Sequence, residues 1–133
     1  MNSKELILKA IEARENAYCP YSNFHVGAAA LFEDGKIYKG CNVENASFGA
    51  TNCAERTAIF NGVANGNRVL KALALIGDVN NFTYPCGICR QVISEFAENK
   101  DMKIYIIKNE NEVLETTLEE IMPGTFTKKD LDK

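Results

Sequence analysis

The chain has 133 residues, 46% of them hydrophobic, which suits one globular domain with a real core, and we expect residues 1–133 to form that single domain. Its formal net charge is -3, from 15 Lys and Arg against 18 Asp and Glu, so the chain has no overall basic field to attract polymeric nucleic acid. No run approaches the roughly 20 apolar residues of a membrane helix, and the amino terminus does not resemble a signal peptide, so we expect a soluble, cytoplasmic protein with no membrane partner.

Hydrophobic periodicity predicts an α/β fold in which helices and strands alternate along the chain. Asp34-Gly35 lies between two apolar runs, a pattern that favours a β-hairpin. Gly62 and Gly66 stand where the second helix should stop, and Pro85 opens the third. This order predicts a layered sheet with helices on both faces. In chain order, the predicted elements are a helix over residues 3–16, strands over 24–33 and 36–43, a helix over about 52–61, a strand over 70–77, a helix over about 85–98, a strand over 103–108 and a short helix over 117–122.

A cysteine motif carries the chemistry of this sequence. Cys53 stands two residues ahead of Glu55, and the stretch Pro85-Cys86-Gly87-Ile88-Cys89 follows further along the chain. Three thiolates can hold a catalytic zinc while the fourth coordination position stays open for water and a nearby carboxylate moves protons. A ligand two residues before a glutamate, followed by Pro-Cys-x-x-Cys, is typical of zinc deaminases as a class.

The predicted positions of these cysteines favour a metal site. Cys53 would lie in the first turn of one helix, and Cys86 and Cys89 would lie one turn apart at the start of another. Helix amino termini lower thiolate pKa values and help to hold an anionic cluster. Three thiolates outweigh the charge of one Zn²⁺, so a guanidinium at the sulfurs would keep the metal acidic. Arg56 is the first candidate for this charge-compensating role, since Arg90 could equally be a surface or subunit-contact charge.

Other interpretations of the cysteines stay open at this point. The three could form a structural zinc site with an unseen fourth ligand, or be buried free thiols, but neither interpretation explains Glu55. The Cys-x-x-Cys pair at a helix start also resembles a dithiol redox motif, which leaves Cys53 without a role. The only histidine, His25, is expected to pack or hydrogen-bond rather than bind metal. Cys19 and Cys41 lack partners at motif spacing and are expected to be small buried apolar residues.

Five ordered segments resemble the small, tetrameric type of cytidine deaminase, along nearly the whole chain. The zinc motif alone fits the wider superfamily, whereas the five segments together are specific to this type. They are Tyr21-Ser22-Asn23-Phe24 with Val26-Gly27-Ala28-Ala29, Gly40-Cys41-Asn42-Val43-Glu44-Asn45-Ala46, Asn52-Cys53-Ala54-Glu55-Arg56-Thr57-Ala58, Pro85-Cys86-Gly87-Ile88-Cys89-Arg90-Gln91, and Leu118 through Pro123-Gly124-Thr125-Phe126.

The resemblance implies a fold, an assembly and a reaction. The fold is a three-layer α/β/α sandwich around a five-stranded mixed sheet. The assembly is a homotetramer whose active sites lie at subunit borders, with one Zn²⁺ in each subunit. The reaction is the hydrolytic conversion of cytidine and deoxycytidine to uridine and deoxyuridine with release of ammonia, a step of pyrimidine salvage.

The resemblance also implies the roles of the motif residues. Cys53, Cys86 and Cys89 correspond to the zinc ligands. In the mechanism of the family a hydroxide on the zinc attacks C4 of the base. Glu55 corresponds to the proton shuttle, which takes the proton of the water, gives it to N3 and later protonates the departing amine.

Further residues correspond to substrate contacts. Asn42 and Glu44 match the positions that bond the sugar hydroxyls, and Phe24 matches the aromatic face beneath the base. Phe126 would reach into the pocket of a neighbouring subunit, and Ala54 is also expected to contact substrate. A carboxylate such as Glu44 beside the sugar accepts hydroxyl hydrogen bonds but repels a phosphate, so free nucleosides are expected to be preferred over nucleotides.

Two rival functions fit parts of this pattern. A deaminase of the aminoacyl-nucleoside antibiotic blasticidin S shares the metal motif, but Asn42 and Glu44 together with Phe24 favour a plain nucleoside. A noncatalytic zinc-binding interaction module is the rival from another class. Glu55 and an open metal position count against that module, and a zinc with four protein ligands would favour it.

Overall fold

A computed structural model describes residues 3–77 and 80–131. The expected single domain also includes residues 1–2, 78–79 and 132–133, which lie outside this part of the chain, so its extent stays a prediction. No helix in the described ranges has the length and apolar character needed to cross a membrane.

The described chain forms helices, strands and two 3₁₀ turns. The helices are α1 (Ser3–Arg14), α2 (Ala54–Ala64), α3 (Gly87–Phe96) and α4 (Leu118–Ile121). The strands are β1 (Gly27–Phe32), β2 (Ile37–Cys41), β3 (Leu70–Ile76), β4 (Lys103–Asn109) and β5 (Glu112–Thr117), and the 3₁₀ turns span Phe48–Ala50 and Lys128–Asp130.

The strands form one mixed sheet in the order β2-β1-β3-β4-β5. β1 pairs antiparallel with both β2 and β3, and β5 pairs antiparallel with β4 at the other edge. β3 and β4 run parallel, so the chain must cross over between them, and α3 lies in that crossover. The five-stranded mixed sheet implied by the resemblance is therefore confirmed.

Helices cover both faces of the sheet, as the order of the elements predicts. On one face α1 packs Leu6 and Ala10 against a core that includes Ala74 of β3. On the other face α2 and α3 contribute Ile59 and Ile93 to a second, larger core. Alternate side chains of β3 point into the two cores, so this strand is buried on both sides. These layers confirm the expected α/β/α sandwich.

α2, which begins directly after Cys53, lies against β2 at Gly40. A β-carbon added to Gly40 would stand 2.2 Å from the amide nitrogen of Ala58 and 2.7 Å from the carbonyl oxygen of Ala54. Backbone atoms of a helix cannot yield at such distances as the end of a flexible side chain can, so a glycine is required where α2 crosses β2. The missing side chain on β2 therefore sets the position of the helix that carries part of the cysteine motif.

α2 continues to Ala64, beyond the end near residue 61 that the sequence predicts. Gly62 was expected to stop the helix, but it lies buried inside it. The ring of Phe32 occupies the space that a side chain at Gly62 would need, with its nearest atom 2.1 Å from an added β-carbon. Gly62 is thus a packing residue. Gly66, with a φ of 97°, follows the helix end as predicted.

β5 is the element that hydrophobic periodicity does not predict. Its sequence, Glu-Val-Leu-Glu-Thr-Thr, is mostly half-buried or exposed and includes two glutamates, a residue depleted in strands. A turn before it folds the chain back onto β4. In that turn the side-chain oxygen of Asn109 accepts the main-chain N–H groups of Asn111 and Glu112 at 2.9 and 3.0 Å. The resemblance alone implied this fifth strand.

Candidate active site

The amino termini of α2 and α3 bring the three motif cysteines together. Cys53 and Cys86 are the N-cap residues of these helices, and neither side chain makes the usual capping hydrogen bond to its own helix. Cys89 lies in the first turn of α3 and is buried. All three sulfur atoms lie within 4.8 Å of one another, and those of Cys86 and Cys89 are 3.4 Å apart. Side chains that could cap a helix are thus turned towards one another.

The sulfur cluster fits a zinc ion. Thiolates around a tetrahedral zinc, with Zn–S bonds of about 2.3 Å, are roughly 3.8 Å apart, close to the spacing found here. Within residues 3–77 and 80–131 the group has three members, Cys53, Cys86 and Cys89, which leaves one tetrahedral position without a protein ligand. Three soft donors with an open position suit a catalytic zinc rather than a closed structural site.

Glu55 lies beside this cluster in the first turn of α2. Its side chain is 4% exposed, which places a carboxyl group in a nearly dry environment. Burial raises the pKa of Glu55 to about 7, although a hydrogen bond from its own main-chain N–H acts in the opposite direction. A divalent cation held by the sulfurs would favour the carboxylate and lower this pKa. Without metal the carboxyl group exchanges its proton near neutral pH, and with a cation bound it is held ionised and able to accept a proton.

In the absence of metal, the sulfur of Cys53 is ionised and the sulfur of Cys89 keeps its proton. A hydrogen bond from the thiol of Cys89 lowers the pKa of Cys53 to about 5, with a further contribution from Arg56. The same hydrogen bond, together with burial, raises the pKa of Cys89 because that thiol must keep its proton to donate it. Cys53 is therefore ready as a thiolate ligand, whereas Cys89 loses its proton when a metal binds.

Arg56 is the arginine that reaches the sulfurs. Its Nη2 lies 3.6 Å from the sulfur of Cys53 and 3.3 Å from the carbonyl oxygen of Thr51. Arg90 instead donates from Nε to the carbonyl of Pro85 at 2.8 Å and from Nη1 to the carbonyl of Ile121, so it joins the start of α3 to the end of α4. This geometry supports the choice of Arg56 over Arg90, and the effect of Arg56 on catalysis stays a prediction.

The segment before α2 joins the expected sugar-binding residues to the cysteine cluster. Val43, between Asn42 and Glu44, pairs with Asn52 through two main-chain hydrogen bonds of 2.9 Å. Asn52 immediately precedes Cys53. Val43 also pairs on its other side with Tyr18. The two groups of residues that the sequence predicts as a sugar site and a metal site are therefore held side by side.

Asn42 and Glu44 both bind the loop that carries Phe24. The Asn42 side chain accepts the N–H of Val26 at 3.0 Å and donates to the carbonyl of Phe24 at 2.7 Å. The carboxylate of Glu44 accepts the N–H groups of Tyr21 and Ser22 through Oε1, each at 3.0 Å, and the Ser22 hydroxyl through Oε2. That hydroxyl is the main reason why the pKa of Glu44 lies below its ordinary value. The ring of Phe24 is 40% exposed.

The structure gives less direct support for substrate contacts at the two remaining predicted residues, Ala54 and Phe126. Ala54 is completely buried in the core, so the expected substrate contact at this position stays a prediction. Phe126 is 56% exposed beyond α4, where its carbonyl accepts a hydrogen bond of 2.7 Å from the side chain of Gln91. Sequence reasoning assigned no role to Gln91 or Ser22. Both lie in the segments that carry the resemblance, but neither stands at a spacing that indicates its partner.

The residues assigned to packing are partly as expected. Cys19 is 6% exposed and therefore buried, as predicted. Cys41 is only half-buried, and its sulfur donates to the carbonyl of Asn16 at 3.4 Å. His25 is exposed, and its charge contributes to the lowered pKa of Glu44. The only metal-binding group found among the described residues does not include His25.

Comparison with known proteins places this site in a family. Residues 1–106 match the family described as the cytidine and deoxycytidylate deaminase zinc-binding region. The chain is 50% identical over 131 residues to a cytidine deaminase of Sporosarcina psychrophila, a match that covers 98% of this chain and 96% of that one. It is 46% identical over 132 residues to a cytidine deaminase of Halalkalibacterium halodurans, with 99% of each chain covered.

Solved structures agree with the sequence relatives. The crystal structure of cytidine deaminase from Burkholderia pseudomallei matches with a TM-score of 0.87 at 44% identity, covering 95% of this chain and 100% of that one. The cytidine deaminase of Mycobacterium tuberculosis matches with a TM-score of 0.82 at 36% identity, covering 95% and 98% of the two chains. This protein therefore belongs to the zinc-dependent cytidine deaminase family.

Proposed function

We propose that the chain catalyses the hydrolytic deamination of free cytidine and deoxycytidine, giving uridine and deoxyuridine and releasing ammonia. The observation that carries this proposal is a cluster of three cysteine sulfurs with an open fourth position beside the buried carboxyl group of Glu55. Relatives that match nearly the full chain bear the name cytidine deaminase. A redox dithiol would need neither Cys53 nor Glu55, and a structural zinc site would need a fourth protein ligand.

Cys53, Cys86 and Cys89 would hold the zinc, which when bound supplies a Lewis-acid centre that makes a water molecule acidic near neutral pH. Glu55 accepts the proton of that water, because its buried carboxyl group lies beside the cluster and a cation held there favours its ionised form. It delivers that proton to N3 of the pyrimidine ring, then takes the proton of the new C4 hydroxyl and gives it to the departing amine, so that the C4 carbonyl forms as ammonia leaves. Each transfer uses the same buried carboxyl group.

Arg56 offsets the negative charge of the ligands. Its Nη2 donates to the sulfur of Cys53, so part of the thiolate charge is drawn away from the metal position. A site with less negative charge holds a more acidic water. Arg56 therefore acts on the chemistry through Cys53 and needs no contact with the substrate.

The sugar side of the site selects nucleosides. Glu44 is charged at neutral pH and accepts a sugar hydroxyl, while Asn42 keeps one amide hydrogen available beyond its bond to Phe24. A phosphate placed near the Glu44 carboxylate would be repelled, so nucleotides are poor substrates. Phe24, with its ring partly exposed beside this pair, supplies a face for the base.

The active form is proposed to be a homotetramer with active sites shared between subunits. Three large apolar side chains near the site are exposed: Phe48 by 77%, Ile88 by 65% and Phe126 by 56%. Apolar side chains gathered around a functional site favour contact with another protein surface. In this assembly Phe126 closes the pocket of a neighbouring subunit. We further propose a cytoplasmic location and a role in pyrimidine salvage.

The decisive experiment measures turnover and metal content on one sample. Purified protein is added to cytidine and the change in ultraviolet absorbance is followed, with zinc per chain determined in parallel and 5′-cytidine monophosphate as the control. We expect rapid loss of cytidine, about one zinc per chain as the three-ligand site requires, and little action on the monophosphate. Zinc without turnover of cytidine would refute the proposal and would favour the aminoacyl-nucleoside substrate or a binding module.

A further inference from the structure

The main chain of Phe24 is held from both sides by residues of the sugar site. Its carbonyl accepts the Asn42 amide at 2.7 Å, and its N–H donates to the hydroxyl of Ser22 at 3.0 Å. The same hydroxyl donates to Oε2 of Glu44. A continuous chain of hydrogen bonds therefore runs from the Phe24 N–H through Ser22 to the carboxylate.

The loop needs these hydrogen bonds because its backbone is strained. Asn23, between Ser22 and Phe24, has a φ of 56°, and among the described residues it is the only non-glycine with a positive φ. Asparagine tolerates the left-handed region better than most residues, but the conformation still costs free energy. Strain of this kind persists where surrounding contacts fix it, which is common at ligand sites. The Ser22 hydroxyl is one such contact.

The carboxylate of Glu44 has an acceptor position left for a sugar hydroxyl. Each carboxylate oxygen of Glu44 can accept about two hydrogen bonds. Oε1 already accepts two main-chain N–H groups, from Tyr21 and Ser22, whereas Oε2 accepts only the Ser22 hydroxyl among the described contacts. The remaining acceptor position is therefore on Oε2, the atom that Ser22 orients. A substrate hydroxyl and Ser22 would share one oxygen.

We propose that Ser22 is a positioning residue that couples recognition of a sugar hydroxyl at Glu44 to the placement of Phe24 under the base. The inference rests on the proposed function, since it concerns how that site selects its nucleoside. The described hydrogen bonds of Ser22 go to Glu44 and to the main chain of Phe24, not to the motif cysteines or Glu55. Without its hydroxyl, Oε2 of Glu44 loses the donor that orients it and the Phe24 N–H loses its acceptor.

The test removes the protein hydroxyl and the sugar hydroxyls in turn. The zinc-loaded wild type, Ser22→Ala and the matched control Ser94→Ala are assayed with cytidine, and the inhibition constants of uridine and 2′,3′-dideoxyuridine are measured. Ser94 also donates a hydroxyl hydrogen bond, to the carbonyl of Gln91, but lies in α3 and makes no described hydrogen bond to Glu44 or Phe24. We expect Ser22→Ala to raise the inhibition constants of both compounds unequally. The rise for uridine should be about ten times the rise for 2′,3′-dideoxyuridine. Ser94→Ala should change both constants by the same factor.

The outcomes separate this inference from the proposed function. If Ser22→Ala raises both inhibition constants by the same factor, Ser22 only stabilises the loop and the coupling is refuted. If the wild type does not convert cytidine at all, the proposed function fails, and this inference fails with it. If Ser94→Ala also raises the inhibition constant of uridine more than that of 2′,3′-dideoxyuridine, the difference is not specific to Ser22. That result would overturn the proposed role of Ser22.

Discussion

Replacing Glu55 by glutamine keeps the shape of the side chain and removes its charge, so it tests the buried carboxyl group directly. Burial raises the pKa of Glu55 from 4.5 to about 7 in the metal-free protein. The folded state therefore binds this proton more tightly than the unfolded state, and the contribution of Glu55 to stability falls as pH rises through this interval. Below pH 4.5 both states are protonated and the penalty disappears. Above pH 7 both states are ionised and the penalty is complete.

The magnitude follows from the size of the shift. A difference of roughly 2.5 pKa units corresponds to about 3 kcal/mol of unfolding free energy. Metal-free Glu55→Gln should therefore match the wild type near pH 4.5 and exceed its stability by about 3 kcal/mol near pH 8. Urea unfolding of both proteins at the two pH values, with a reducing agent present, measures this difference.

Zinc provides the second half of the experiment. A cation at the sulfurs stabilises the carboxylate, so zinc loading should reduce the advantage of Glu55→Gln at pH 8. The zinc-loaded variant should retain its metal, because no ligand is changed, and should lose most of its turnover, because the proton carrier is gone. A stability difference that is the same at both pH values would refute the assignment of the raised pKa to burial, and retained turnover would refute the shuttle role.

Three further substitutions test the metal site and the helix that carries it. Cys86→Ala should lose both zinc and activity, and a normal zinc content would place the third ligand elsewhere. Arg56→Gln should lower kcat by about tenfold or more while unfolding free energy changes by less than about 1 kcal/mol; an unchanged rate would make Arg56 merely structural. In Gly40→Ala, α2 and β2 must move apart by about 1.2 Å to turn the 2.2 Å approach found here into ordinary contact at 3.4 Å. We expect a loss of about 1–3 kcal/mol in stability and up to about 100-fold in kcat/KM, compared with Gly49→Ala, where an added β-carbon meets nothing within 4 Å. Equal effects of these two alanines would refute the packing argument.

The metal site could be predicted because its chemistry is local in sequence. Cys53 and Glu55 share one helix start, and Cys86 and Cys89 share another, so residue type and spacing already indicate three ligands and an acid. The structure adds that the two starts converge. It also supports Arg56 over Arg90 as the arginine at the sulfurs, since the two neighbour the motif equally in sequence but bond to different partners.

The parts that sequence reasoning missed depend on contacts between distant residues. Gly62 has the appearance of a helix stop, and only the ring of Phe32 on β1 explains why it lies inside α2. β5 is a half-exposed edge strand whose sequence, Glu-Val-Leu-Glu-Thr-Thr, lacks a clear alternation of apolar and polar residues. Ser22 and Glu44 are separated by 22 residues, so no local pattern could have joined them. Each of these features depends on tertiary contacts, which hydrophobic periodicity does not describe.

The uncapped starts of α2 and α3 have a consequence for how the protein matures. Cys53 and Cys86 belong to separate helices, and β3 lies between them in the chain, so their sulfurs converge only after both helices have docked on the same face of the sheet. High-affinity zinc uptake is therefore a late event in folding, and it cross-links two helices that no disulfide joins. Zinc retained through purification therefore marks molecules in which both helices have docked.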